Sequence, residues 1–290
     1  MFGVALAALS SIILATADAG KKELAKFYAP FQVGWVTLTA ALLCNVTFLY
    51  LTNELAIPSG YTFYLCTLAC AVAATVGEIA FITAVSSADL SLVIPFSAFG
   101  PVGATLLSAL ILKELPSPFA FLGILIIVLG SYLISVDFKS RRGIFAPFRI
   151  AFTKGPLCML LATGCFSIMV TLQKFLARDV NSVLSFTSLV FVCVVVFTLV
   201  LLWQGKNPLE PVLARPKHAI GMGICWAVGM TTLYVSLGFT LVAYASSASR
   251  IGMLFSVLLG YLFFNEKNIL QRLLAGSVMI VGVVLVVWFG

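Results

Sequence analysis

Apolar residues run through this chain in blocks of about twenty, the length of a helix that crosses a bilayer at 1.5 Å per residue. The blocks are 2–19, 30–51, 61–83, 90–112, 117–136, 155–174, 182–203, 219–238, 242–264 and 269–289. Polar clusters separate them, at Lys21-Lys22-Glu23, Asn53-Glu54, Ser86 to Asp89, Lys113-Glu114, 137–154, Arg178-Asp179, 204–218 and Glu266-Lys267. The pattern predicts ten transmembrane helices. The two-residue alternation of a membrane β-barrel strand does not occur.

A second regularity lies over the first. Residues 95–114 and 247–266 share one design, in which Ser97 falls on Ser249, Gly100 on Gly252 and Glu114 on Glu266. The same gap-free offset of 152 carries Gly3 onto Gly155, Lys22 onto Lys174, Gly77 onto Gly229 and Gly130 onto Gly282. The match of charged residues argues for a tandem duplication. Five spans per unit is an odd number, so two such units in one chain insert with opposite orientation. The expected fold is an all-α integral membrane protein of ten transmembrane helices, arranged as two inverted five-helix repeats. Residues 1–137 form the first repeat, 138–154 a basic linker and 155–290 the second. Inverted repeats commonly build a central site at their interface.

Composition agrees. Of 290 residues 62% are hydrophobic and 9% charged, against roughly 25% charged in a soluble domain. Residues 2–19 read as a retained helix rather than a signal peptide, because no basic region precedes them and no cleavage site follows. The net charge of +7 comes from short loops and suits contact with membrane lipids, with no indication of nucleic-acid binding. All seven cysteines lie in apolar runs, which argues against disulfides, metal ligation and any metal cofactor. Asn45-Val46-Thr47 has the form of a glycosylation acceptor but lies deep inside a span.

The chain resembles the drug/metabolite transporter superfamily, of the EamA type with ten helices. The resemblance rests on the duplicated unit, on Pro101-Val102-Gly103-Ala104 in the fourth span and on Glu114 and Glu266 closing the fourth and ninth. It rests also on Lys22 and Lys174 after the first and sixth spans, and on Gly123, Gly130, Gly276 and Gly282 in the fifth and tenth. It implies a central cavity lined by spans four and nine. Many members carry an arginine early in the second span, where this chain has Gly34, Trp35 and Thr37. A substrate role for that arginine does not carry over.

Ionisable residues inside a span cost about 2.5–3.5 kcal/mol on insertion scales, so they face the bundle interior and serve a purpose. Two stand out, Glu78 in the third span and Arg250 in the ninth. Neither has a charged counterpart in the other repeat, where Met230 and Ala98 stand. They lie on opposite sides of the midplane, on the order of 10 Å apart along the membrane normal. One reading makes them a buried ion pair, or two charges satisfied separately. The other makes them recognition groups in a transport cavity, with Arg250 clamping a carboxylate or phosphate and Glu78 receiving an ammonium or a coupling proton. Ser246, Ser247 and Ser249 leave room and hydrogen bonds beside the guanidinium, and Ser97 is the repeat counterpart of Ser249. Tyr234 and Tyr244 are candidates to stack on a solute. Pro95, Pro101, Gly100 and Gly252 are candidate hinges. Asp18, beside Lys21 and Lys22, reads as interfacial.

The expected function is a secondary active transporter that moves a small polar metabolite, such as an amino acid or nucleotide, by alternating access. A non-transporting scaffold or sensor is a competing reading. A membrane-embedded enzyme is another, against which stands the lack of paired catalytic groups at membrane depth. No P-loop for ATP appears. The expected partners are a small solute and membrane lipids, with a homodimer compatible with the sequence, in a bacterial inner membrane. Thirteen basic residues follow the odd-numbered spans and three the even-numbered ones. Basic short loops stay cytoplasmic. That count turns the termini outward, whereas the family resemblance implies the reverse.

Overall fold

The computed structural model describes residues 2–56, 58, 60–89, 93–135, 152–177, 180–264 and 269–289, and every regular element among them is helical. The first repeat holds α1 (Phe2–Leu24), α2 (Pro30–Leu51), α3 (Tyr61–Ser87), a 3₁₀ segment η1 (Ile94–Phe99), α4 (Gly100–Ile111) and α5 (Pro118–Ser135). The second holds α6 (Lys154–Leu176), α7 (Ser182–Trp203), α8 (Glu210–Ala214), α9 (Pro216–Leu237), α10 (Val242–Ala248), α11 (Ile251–Phe264) and α12 (Ile269–Phe289). Six of these, α1, α2, α3, α6, α7 and α9, are long and apolar enough to cross a membrane. Large side chains such as Leu43, Leu68, Leu110, Leu199 and Leu262 face outward, as expected where lipid tails replace water as solvent.

Helix ends follow local chemistry. Prolines open α2, α4, α8 and α9 at the first turn, where no N–H is needed. The Asn181 side chain accepts the Val183 N–H at the start of α7, 2.8 Å away. Lys113 closes α4 in the left-handed region at φ 58°, and the Glu114 N–H returns to the Ser108 carbonyl at 3.2 Å. The first span is longer than its apolar block. It runs through Lys21 to Leu24, because Lys21 finds a buried partner instead of an aqueous loop.

Spans four and nine are each interrupted, and at corresponding places. The fourth begins as η1, with Pro95 and Pro101 on either side of the change to α-helix. The ninth breaks at Ser249-Arg250, which the offset carries onto Ser97-Ala98 within η1.

The packing repeats with the offset as well. α1 lies along α9, α3 lies along α6, α1 meets α11, α4 meets α6, and α5 pairs with α12. A Cβ added to Gly77 would press on Phe166, and one added to Gly229 on Leu14, the residue 152 positions earlier. Gly3 and Gly155 show the same relation, against Phe239 and Ser87. α5 and α12 come into close contact at Gly123 and Gly282, where a Cβ on either would stand 2.6 Å from the other's carbonyl oxygen. Gly123→Ala is expected to lower stability by about 1–3 kcal/mol through overpacking. A melting curve in detergent reads this, and an unchanged midpoint would mean that the two helices separate freely.

Candidate functional site

Between the two repeats lies a cavity of about 250 Å³, lined from α1, α2, α3, η1, α4, α6, α7, α9, α10 and α11. Most of its wall is apolar, with Phe81, Phe166, Phe186 and Trp226 contributing rings. Four charged side chains line it among the described residues, Asp18, Lys21, Glu78 and Arg250.

Arg250 stands at the break between α10 and α11, where the interrupted helix leaves carbonyl groups unused. Its Nε donates to the Ser246 carbonyl at 3.0 Å. Nη1 donates to the Ser97 carbonyl at 2.6 Å and the Ser97 hydroxyl at 3.0 Å, and Nη2 to the Ser249 hydroxyl at 3.2 Å. The guanidinium thus bridges the two interrupted spans. Gly100 borders it, and a Cβ there would lie at ordinary contact distance, 3.7 Å, from both Nη atoms. Every partner is neutral. Among the described residues no carboxylate lies within ion-pair distance of Arg250.

Glu78 does not pair with Arg250. Its carboxylate accepts from Lys21 Nζ at 2.5 Å, and the two residues are 5% and 1% exposed. Nζ also lies 5.0 Å from the ring centres of Phe81 and Trp226, so aromatic faces complete the cage around the ammonium. Gly34 packs against this pair from α2, 3.4 Å in Cβ terms from the Glu78 stem, and Trp35 donates to the Thr198 hydroxyl at 2.8 Å. Lys21, expected in a loop, is therefore a site residue. Asp18, expected at the interface, opens onto the same cavity. Both were legible in one respect. Ser11, Leu14, Asp18 and Lys21 follow a spacing of three, four and three, a single helical face, and all four line the cavity.

The other candidates divide. Ser97, Ser246 and Ser249 line the cavity and hold the guanidinium. Ser247 is fully buried away from it, with its hydroxyl on the Ala243 carbonyl. Tyr234 lines the cavity and stacks on Phe186 at 4.0 Å and 17°. Its hydroxyl has no partner among the described residues. Tyr244 stays outside, and its hydroxyl accepts the Ser117 N–H at 3.4 Å, at the start of α5. Gly100 and Gly252 sit at the interrupted spans and line the cavity, and Pro95 and Pro101 bracket the first interruption. The Gly252 N–H donates to the Ser11 hydroxyl at 3.0 Å, and a Cβ there would strike the Ser11 carbonyl at 2.4 Å.

The repeat lysines hold the periphery. Lys22 Nζ donates to the Ala88 carbonyl at 3.4 Å and Lys174 Nζ to the Thr240 carbonyl at 2.8 Å, equivalent bonds under the offset. Lys174 also pairs with Glu114 at 3.1 Å, across the repeat boundary. Glu266, the counterpart of Glu114, lies outside the described residues.

The model of the EamA-like transporter family matches this chain twice, over residues 1–136 and 153–288. No protein of curated function matches it in sequence. A solved crystal structure, titled only as that of a protein, aligns over 97% of this chain and 95% of its own, with a TM-score of 0.70 and 16% identity. At that identity the likeness speaks for the fold alone.

Proposed function

The chain belongs to the EamA-like transporter family, as a multi-pass membrane transporter of the drug/metabolite type, and from that premise we propose a secondary carrier of a small polar solute working by alternating access. One observation carries the reading. Arg250 opens onto a cavity between the repeats with hydroxyls and carbonyls as its only partners among the described residues. A charge so placed costs several kcal/mol unless a counter-ion completes it. A carboxylate or phosphate of the solute supplies that counter-ion. The Ser97 and Ser249 hydroxyls rotate aside, and the planar fork takes the anion through two parallel bonds.

Two five-helix units of opposite orientation rock about this point. The interrupted spans at Ile94–Phe99 and Ser249-Arg250 supply the flexible joints, beside Gly100 and Gly252. Glu78 serves here as the fixed partner of Lys21. The test is a thermal-shift screen of the purified protein against amino acids, nucleotides, sugar phosphates and nucleotide sugars. Uptake into proteoliposomes of each stabilising solute follows. A ligand at 100 times its Kd adds about 2.7 kcal/mol. Binding without uptake would favour the sensor reading.

Orientation follows the basic loops. Removing Lys21 from their number leaves the asymmetry intact, so the termini are proposed to face outward and the 137–154 linker the cytoplasm. Position 140, which lies outside the described residues, tests it. In a version lacking native cysteines, Ser140→Cys should resist a membrane-impermeant thiol reagent on intact cells. Labelling there reverses the orientation.

A further inference from the structure

The four charges of the cavity divide unevenly. Lys21 and Glu78 neutralise each other at 2.5 Å. Asp18 has neither a hydrogen bond nor an ion pair of its own among the described residues, and Arg250 has only neutral partners. Among the described residues, Asp18 and Arg250 are thus the two unpaired charges of one cavity, and of opposite sign. Empty, with all four ionised, the cavity is neutral.

We propose that Asp18 carries one proton for each anion held by Arg250, so that a monoanionic solute and a proton cross together without net charge. This rests on the carrier reading of the site. An anion on Arg250 cancels the guanidinium and leaves the Asp18 carboxylate as an uncompensated charge in a largely apolar cavity. Such a charge costs far more than a neutral carboxyl group. One proton from the water on the loading side, bound at the Asp18 carboxylate, restores neutrality. The same proton leaves to the water on the other side when the anion does. Linkage makes the effect mutual, since anion and proton each favour the binding of the other.

Glu78 suits this task less well. A proton on Glu78 would strand Lys21, which is 1% exposed and has no other carboxylate within ion-pair distance among the described residues. The charged and titratable groups that line the cavity around Asp18 are Lys21 from its own helix, Glu78 from α3, Cys193 from α7, Tyr234 from α9 and Arg250 from the α10–α11 junction. The thiol and the phenol are ordinarily protonated at neutral pH and add no charge.

The charge balance is testable without the solute, because Arg250→Gln stands in for a site whose guanidinium an anion has cancelled. The probe is the proton itself, and the readout is the melting temperature of the full-length protein in detergent as a function of pH. An extra proton held by the native state makes stability fall as pH rises. Relative to wild type, R250Q should lose on the order of 2–4 °C per pH unit over the range in which that proton is held. In D18N/R250Q this extra slope should vanish, and in K21M/E78Q/R250Q, which removes the neutralised pair and leaves Asp18 as the one remaining charge among the described lining residues, it should remain. A slope that survives D18N, or R250Q that follows wild type, overturns the proposal. Should R250Q not fold, D18N must restore a monodisperse protein, and failure to do so also overturns it. None of these readings depends on transport, so they stand or fall apart from the uptake assay that tests the carrier.

Discussion

Arg250→Ala should abolish uptake while leaving a folded, membrane-inserted protein. The guanidinium ties the two interrupted spans together through Ser97 on one side and Ser246 and Ser249 on the other. Those partners are neutral hydroxyls and carbonyls, so removing the guanidinium strands no charge on them and the fold tolerates the change. Transport does not tolerate the loss of the one unpaired cation among the described residues of the cavity. A charge-assisted bidentate contact contributes about 1.5–3 kcal/mol per hydrogen bond, and losing it entirely slows transport by two to four orders of magnitude. Arg250→Lys should fail nearly as badly, since an ammonium on a flexible stem cannot bridge Ser97 and Ser249 and also present a fork. Uptake is measured in proteoliposomes with the solute found by thermal shift. Wild-type rates in R250A would remove the recognition role and return Arg250 to structure.

The second large effect is on stability. Lys21→Met leaves the Glu78 carboxylate buried without its ammonium, and Glu78→Gln leaves the ammonium without its carboxylate. Either single change should cost about 3–5 kcal/mol, because a stranded buried charge retains its desolvation penalty. The double variant K21M/E78Q removes both charges and should recover most of the loss, as replaced buried ion pairs often do. A double-mutant cycle on melting temperature measures the coupling. Strict additivity of the two single changes would show that the ammonium and carboxylate do not interact in the membrane.

Much of this protein is written in local pattern. The apolar blocks at 30–51 and 182–203 coincide with α2 and α7 at both ends, because a helix in lipid must satisfy every backbone group within itself and ends where polar residues begin. The 152-residue offset announced equivalent contacts long before they could be seen. Gly77 and Gly229 meet equivalent side chains, and Lys22 and Lys174 cap equivalent carbonyls. Arg250 announced itself by its rarity, a charge in an apolar block amid serines.

Partner choice was another matter. Lys21 stood next to Lys22 and Glu23 and looked like a loop residue, yet its long stem carries the ammonium back to Glu78, fifty-seven positions away. Hydropathy records how apolar a neighbourhood is, and says nothing of which neighbour a four-carbon stem can reach. Ser247 and Ser246 are adjacent in sequence, but successive helical residues are turned about 100° apart, so one faces the cavity and the other packs away from it. Tyr244 was sent outward to Ser117 by the same rotation. Sequence by itself determined the membrane, the helices and the duplication, since each depends on composition over a window or on a fixed spacing. Only the tertiary structure decided that Glu78 is neutralised and that Asp18 and Arg250 are left facing one cavity, because that depends on how each helix is turned about its own axis.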